Sequence, residues 1–190
     1  MQSSIYRVKL LNAVLFFASN TKHVNITKLS KLLYFLDFLH FENTGYPSIG
    51  LEYFAFEKGP VPKYFWLEIK DAIVPEDFQG KVALIPNPNN KEVEIRAIGK
   101  PDLSVFSSQE IKILKRLAEI YKDAKAWQAS EVAHSHGEPW DITVKEKGKN
   151  KSIDYLLSID KNSPISLEDA EESLREHQEI IRNFNLSPTE

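Results

Sequence analysis

Two prolines within three residues, in Gly59-Pro60-Val61-Pro62, constrain this chain more than any other feature it carries. Each proline fixes φ near about −65° and removes a backbone donor, while the glycine ahead of them is free to take positive φ. The surrounding segment 53–66 reads YFAFEKGPVPKYFW. It predicts a rigid corner joining an extended stretch at 53–56 to a helix over 63–73, with Phe65, Ile69 and Ile73 on one side. The aromatics around such a corner form either a packed core or a recognition surface. Strand and helix phase alone do not divide them between the two.

The helix leading into the corner is the other strong signal. Asn25 or Thr27 can cap it, and Leu29, Leu32, Leu33, Leu36, Leu39 and Phe41 leave only Lys28, Lys31, Asp37 and Glu42 as clearly polar positions. An apolar surface that wide predicts a central helix packed on several sides. Asn43-Thr44-Gly45 and then Pro47 give the stop signal. Ahead of it, Val8, Leu11, Leu15 and Ala18 recur at helical spacing behind a cap at Ser3 or Ser4. After the corner, runs at 82–85 and 93–98, separated by a polar, proline-bearing loop, predict a β-hairpin that could pair with strand 53–56. Ser107 and Glu110 have capping-box spacing, with Phe106 and Ile111 placed as a hydrophobic staple. A shorter helix through Trp127 and Val132 follows, and Pro139 is placed for the first turn of another. The KEKGKNK stretch at 145–151 is the best candidate for a boundary. A last amphipathic helix after Ser166 carries Leu167, Ala170, Leu174, Ile181 and Phe184 on one stripe.

The 190 residues carry no cysteine, which excludes disulfides, thiolate metal sites and cysteine nucleophiles. A net charge of −3 supplies no global positive field toward nucleic acid or anionic lipid. No apolar run is long enough to span a bilayer, and the first residues lack the pattern of a signal peptide, so a cytoplasmic protein is expected. His134-Ser135-His136 with Glu138 and Asp141 invites a metal or acid-base reading. Two histidines at i and i+2 do not share a helix face, however, so packing of one histidine and Trp140 at a helix junction is the plainer account. No nucleophile elbow, phosphate loop or dinucleotide fingerprint is present. The helices and hairpin are also the parts list of a winged helix, with Lys28 and Lys31 ahead of an apolar helix; against it, that helix is too apolar all round for a major groove.

Three separated blocks, KLLYF at 31–35, AFEKGPV at 55–61 and the histidine-rich segment ending in Pro139-Trp140, together resemble the Panacea domain family, which includes SocA-like antitoxins of bacterial and phage toxin-antitoxin systems. The likeness runs in order over about residues 5–145. It picks out Lys31, Tyr34, Gly59, His134, His136, Pro139 and Trp140 as motif positions. In the family a histidine stands a few residues ahead of Pro-Trp, and both His134 and His136 compete for that place. The resemblance implies an antitoxin that neutralises a toxin encoded nearby by binding it directly, and some such antitoxins also deliver the toxin to a cytosolic protease.

The expectation is therefore an α+β, predominantly helical single domain with a small antiparallel sheet. Residues 1–145 form the Panacea-like domain; residues 146–190 supply a basic loop and a C-terminal helix packed on it or extending it. The expected work is toxin binding, with no catalysis, no cofactor and no metal. The candidate contact residues are Tyr53, Phe56, Pro60, Val61, Pro62, Tyr64 and Trp66, with Lys58 and Lys63 as rim charges. A DNA-binding regulator of its own operon is the alternative, and an enzyme using His134, His136 and Asp141 is a third.

Overall fold

The computed structural model describes residues 4–89, 92–133, 135 and 137–186. Around one buried helix it arranges α1 (Ser4–Asn20), α2 (Ile26–Thr44), β1 (Tyr53–Phe56), β2 (Gly59–Pro62), α3 (Lys63–Ile69), β3 (Val82–Pro86), β4 (Val93–Ala97), α4 (Ser108–Ile120), α5 (Ala126–Ala133), α6 (Pro139–Lys147) and α7 (Leu167–Leu186). The fold is mixed α+β and mainly helical, as expected.

The central helix is α2. Asn25 caps it by accepting from the Lys28 N–H at 2.8 Å, and Gly45 ends it at φ 78° with its own N–H donated to the Phe41 carbonyl. That glycine is required twice over, because a Cβ there would also stand 2.5 Å from the Ser173 Cβ of α7, which crosses the helix end. Leu29, Leu32, Leu33, Leu36 and Phe41 are buried on different sides of α2, where α4, α5, α7 and β2 pack. Burial extends to its polar positions: Lys28, Lys31 and Asp37 are all fully enclosed. Lys28 can be buried because its Nζ donates to the carbonyls of Lys22, Tyr121 and Ala124 at 2.6–2.8 Å, tying the end of α4 to the α1–α2 turn. Desolvation still holds its pKa below the usual lysine value.

The glycine–proline segment is more than a corner. Gly59–Pro62 is itself a strand, antiparallel to β1 in the register Tyr53 to Pro62, Phe54 to Val61, Ala55 to Pro60 and Phe56 to Gly59. A strand can hold two prolines here because antiparallel pairs alternate between hydrogen-bonded and non-hydrogen-bonded positions. The prolines oppose Ala55 and Tyr53, whose main-chain groups turn the other way: the Ala55 N–H donates to Lys151, its carbonyl accepts from Asn150, and the Tyr53 carbonyl accepts from Ile153. Gly59, at φ 100°, closes the two-residue turn.

Two further expectations need correction. β3 and β4 form their own two-stranded sheet and do not pair with β1, whose free edge is taken by residues 150–153. Helix α3 stops at Ile69, because Ala72 takes φ 59° and Ile73 is left exposed. Beyond the basic stretch the chain returns to the core: Ile153 and Ala170 are buried, and Tyr155 stacks on Phe38 and Phe41.

The capping box of α4 is present, with Ser107 accepting from the Glu110 N–H and Glu110 accepting from the Ser107 N–H. Glu110 has a second task. Its Oε1 also accepts from Lys9 Nζ at 2.7 Å and Ser48 Oγ at 2.6 Å, so one buried carboxylate joins α1, the loop after α2 and α4. Burial pushes its pKa up, but these donors and the Lys9 charge outweigh that and hold it below the usual glutamate value. A depressed folded-state pKa gives stability that is present above the unfolded value, about 4.5, and is lost as pH falls through the folded one. Acid unfolding of Glu110→Gln should accordingly show a shallower loss of stability below about pH 4.5 than the parent. Parallel acid titrations of the two proteins, followed by circular dichroism, check this.

Candidate functional site

The three sequence blocks meet at the β1–β2 hairpin. Lys31 reaches up from α2 and donates to the Pro60 carbonyl at 2.8 Å, a group that faces away from β1 because of the non-hydrogen-bonded register. Trp140, in the first turn of α6, donates its Nε1–H to the Phe56 carbonyl at 3.0 Å. Tyr34 lies edge-on to Tyr53, with ring centroids 5.5 Å apart. Pro139 is buried at the start of α6. The hairpin is thus clamped from α2 below and from α6 at its turn.

Burial now divides the aromatics that sequence phase left together. Tyr53 is 1% exposed and donates its hydroxyl to Asp37, and Gly59, Pro60 and Pro62 are also buried, so Tyr53, Pro60 and Pro62 are core and not contact residues. The alternation along β1 places Phe54 and Phe56 on the outer face, with Val61 opposite Phe54 on β2. In α3, Phe65 and Ile69 turn inward while Tyr64 and Leu67 are exposed and Trp66 is half-buried. Tyr64 stands edge-on to Phe54 at 6.2 Å and Trp66 edge-on to Phe56 at 6.1 Å. Lys63 Nζ lies 4.7 Å from the Phe54 ring centroid, Lys70 Nζ lies 5.8 Å from that of Trp66, and Lys58 is exposed at the hairpin turn. The result is an outward aromatic strip with cations over and beside its rings. Phe54 and Leu67 belong to it although the sequence reading passed over them; alternation with the buried pair Tyr53 and Ala55 is the signal that identifies Phe54.

The other candidate chemistries fare differently. Lys28 and Lys31 are buried and occupied, so they offer no phosphate contacts. His134 and His136 lie outside the described residues. Asp141 is engaged in accepting from the Gly137 N–H and Lys145 Nζ. Among the described residues no group of three or more His, Asp or Glu is arranged to hold a metal. Nor, among them, is any helix long and apolar enough to cross a membrane. A cleft of about 600 Å³ lies away from the strip, between α7 and the loop after α2, where His177 meets the Tyr6 hydroxyl at 2.6 Å.

The fold is a mainly helical α+β domain that clamps a proline-bearing hairpin and turns an aromatic strip outward. Its family is defined by the match of residues 29–141, more than half of the chain, to the model of the SocA-like antitoxin Panacea domain. The chain belongs to that family. No curated protein and no solved structure matches it.

Proposed function

We propose that this protein is the antitoxin of a toxin-antitoxin pair and neutralises its toxin by direct binding through the strip formed by Phe56, Val61, Lys63, Tyr64 and Trp66, with Phe54 and Leu67 beside them and Lys58 at the rim. Family membership carries the reading. The strip supports it physically: aromatic side chains at the centre of an interface contribute most of the binding energy, and charges at the rim steer encounter more than they add affinity. The work needs neither catalysis nor a cofactor, and its setting is the cytoplasm, where a toxin encoded nearby is made.

The test is co-expression with the product of the adjacent reading frame, scored by rescue of growth and by a stable copurified complex. Tyr64→Ala and Trp66→Ala are each expected to weaken the complex by about 30-fold, the effect of losing about 2 kcal/mol at a hot spot. Tyr64, 58% exposed, should be replaceable with an unchanged Tm. Unchanged affinity for alanine variants of Lys58, Tyr64, Trp66 and Leu67 would remove the strip from the interface. Steeply salt-dependent binding to duplex DNA, with no toxin complex, would replace the reading with that of an operon regulator. An adapter role predicts a shorter toxin half-life in cells that make the antitoxin; neutralisation by binding alone predicts no shortening.

A further inference from the structure

The aromatic strip has a charged border that its sequence neighbours do not explain. Residues 150–153 run along the other edge of β1, with Ser152 bridged to Phe54, so the lysine-rich segment 145–151 adjoins the strip. That segment holds four lysines and one glutamate, and residues 54–70 hold three lysines and two glutamates, on a chain whose net charge is −3. Positive charge is thus gathered around the strip against the sign of the whole molecule.

The carboxylates nearby are mostly engaged already. Glu57 pairs with Lys149 at 3.1 Å, Glu68 with Arg7 at 2.8 Å and Asp71 with Lys70 at 2.6 Å. Lys58 at the hairpin turn and Lys63 at the start of α3 have no carboxylate within ion-pair distance among the described residues, and the exposed Glu52 does not reach either of them. Lys63 is the more telling of the two. It is half-buried, and its Nζ lies 4.7 Å from the ring centroid of Phe54 and 5.9 Å from that of Tyr64. An aromatic face attracts an ammonium without accepting from all of its N–H donors. The fold therefore holds a charged donor inside an apolar surface and leaves its acceptor to come from outside.

The class of that acceptor follows from the shape around it. Strand addition is closed here, because residues 150–153 take the free edge of β1, Pro60 and Pro62 leave the outer edge of β2 without donors, and the Pro60 carbonyl is taken by Lys31. A single-stranded nucleic acid would stack its bases on open ring faces. Lys63 covers the Phe54 ring instead, and Tyr64 and Trp66 stand edge-on to Phe54 and Phe56 at 86° and 78°. Beside Tyr64 is a recess of about 450 Å³ with Leu51, Pro62 and Phe65 among its lining residues, suited to an apolar side chain. Resting on the toxin-binding reading above, we propose that the toxin surface seated on the strip is an acidic segment: the carboxylate of an aspartate or glutamate accepts from Lys63 Nζ, a second lies toward Lys58, and an apolar neighbour enters the recess beside Tyr64. A carboxylate on Lys63 completes a charge-assisted hydrogen bond against a wall of rings that excludes water, so its removal is read in affinity as well as in encounter rate.

The test uses the full-length protein in complex with the product of the adjacent reading frame. A water-soluble carbodiimide joins an amine and a carboxylate in direct contact as an amide and itself takes up the water lost. Peptide mapping of the treated complex is expected to find Lys63 joined to an aspartate or glutamate of the toxin. Lys63→Glu should weaken the complex by at least about tenfold with little change in Tm, and Lys58→Glu should weaken it in the same direction. Lys63→Arg keeps the charge over Phe54, so it should restore nearly the parent affinity while giving no cross-link at 63, because a guanidinium does not couple. A complex that tolerates both charge reversals, or that gives no cross-link from either lysine, overturns the acidic segment and leaves toxin binding standing. No complex at all removes the toxin reading and the acidic segment with it. Binding of a single-stranded oligothymidylate in place of the toxin, lost in Lys63→Glu, would assign the strip to nucleic acid and overturn both.

Discussion

Asp37→Ala is expected to be the most damaging single change in this protein, removing more than about 4 kcal/mol of stability from a domain of the size that usually has 5–15. Asp37 is fully buried on α2. Its Oδ1 accepts from the main-chain N–H groups of Ile49 and Gly50 at 2.6 and 3.2 Å, and its Oδ2 accepts from the Leu51 N–H and the Tyr53 hydroxyl at 3.2 and 3.0 Å. The Tyr155 hydroxyl, 3.2 Å from Oδ2 and 2.6 Å from the Leu51 carbonyl, shares its single proton between them. One side chain therefore folds the loop that delivers the chain to β1 and fastens both a strand residue and a residue from beyond α6. Burial pushes the carboxyl pKa up, and the donors oppose it. Alanine would leave the main-chain donors without acceptors in a dry interior, at about 1–3 kcal/mol each before relaxation. Asp37→Asn is the informative companion. Its amide can keep an oxygen toward Ile49 and Gly50 only by turning its NH2 toward Leu51, and although the Tyr53 hydroxyl can rotate to accept, the Leu51 N–H cannot. A loss of about 2 kcal/mol, roughly half that of alanine, is expected in urea unfolding. Equal stability of the aspartate and asparagine forms would show that the carboxylate does not organise the loop.

The same residue shows how far the sequence could be read. That α2 is central followed from its apolar positions, and its ends followed from Asn25 and Gly45, because those signals are local. The capping box at Ser107 and Glu110 was legible for the same reason. What Lys28, Lys31 and Asp37 do was not: they stand out only as polar positions in an apolar helix, and only the tertiary structure brings them the carbonyls and amides that make burial tolerable. The proline strand was hidden because a proline count argues against a strand, while the register that permits it depends on residues 150–153 taking the opposite edge of β1. Alternation would have separated Tyr53 from Phe56 had it been known that the segment was a ribbon with one face on α2. An aromatic cleft at Tyr34 has no sequence signature, since Glu42, Glu138 and Asp160, which also line it, come from three separate stretches of the chain and converge only through the fold.

Lys31 supplies the second large effect, and it depends on pH. Its Nζ is enclosed with one acceptor, the Pro60 carbonyl, although an ammonium brings three donors. Desolvation lowers its pKa from the usual 10.5 to about 7. Between those values the unfolded chain binds a proton that the folded chain has released, so stability rises with pH across the window from about 7 to about 10.5 and is level below it, where both states are protonated. The full span corresponds to about 5 kcal/mol at 1.36 kcal/mol per pKa unit, as an upper order of magnitude. Lys31→Met keeps the length and removes the charge, at the cost of the hydrogen bond to Pro60, about 1–3 kcal/mol for the carbonyl left behind. The two variants should therefore cross. At pH 6 the methionine form is expected to be the more stable, because the parent carries a desolvated charge. Near pH 10 the parent should be the more stable, because its neutral amine still donates to Pro60. Urea unfolding of both forms at pH 6, 8 and 10 decides the matter, with a pH-independent difference as the result that would rule out a charge-based role. In the crossing case Lys31 trades stability near neutral pH for the one bond that holds the proline strand to α2, and the measured cost of that bond is the cost of keeping the aromatic strip in place.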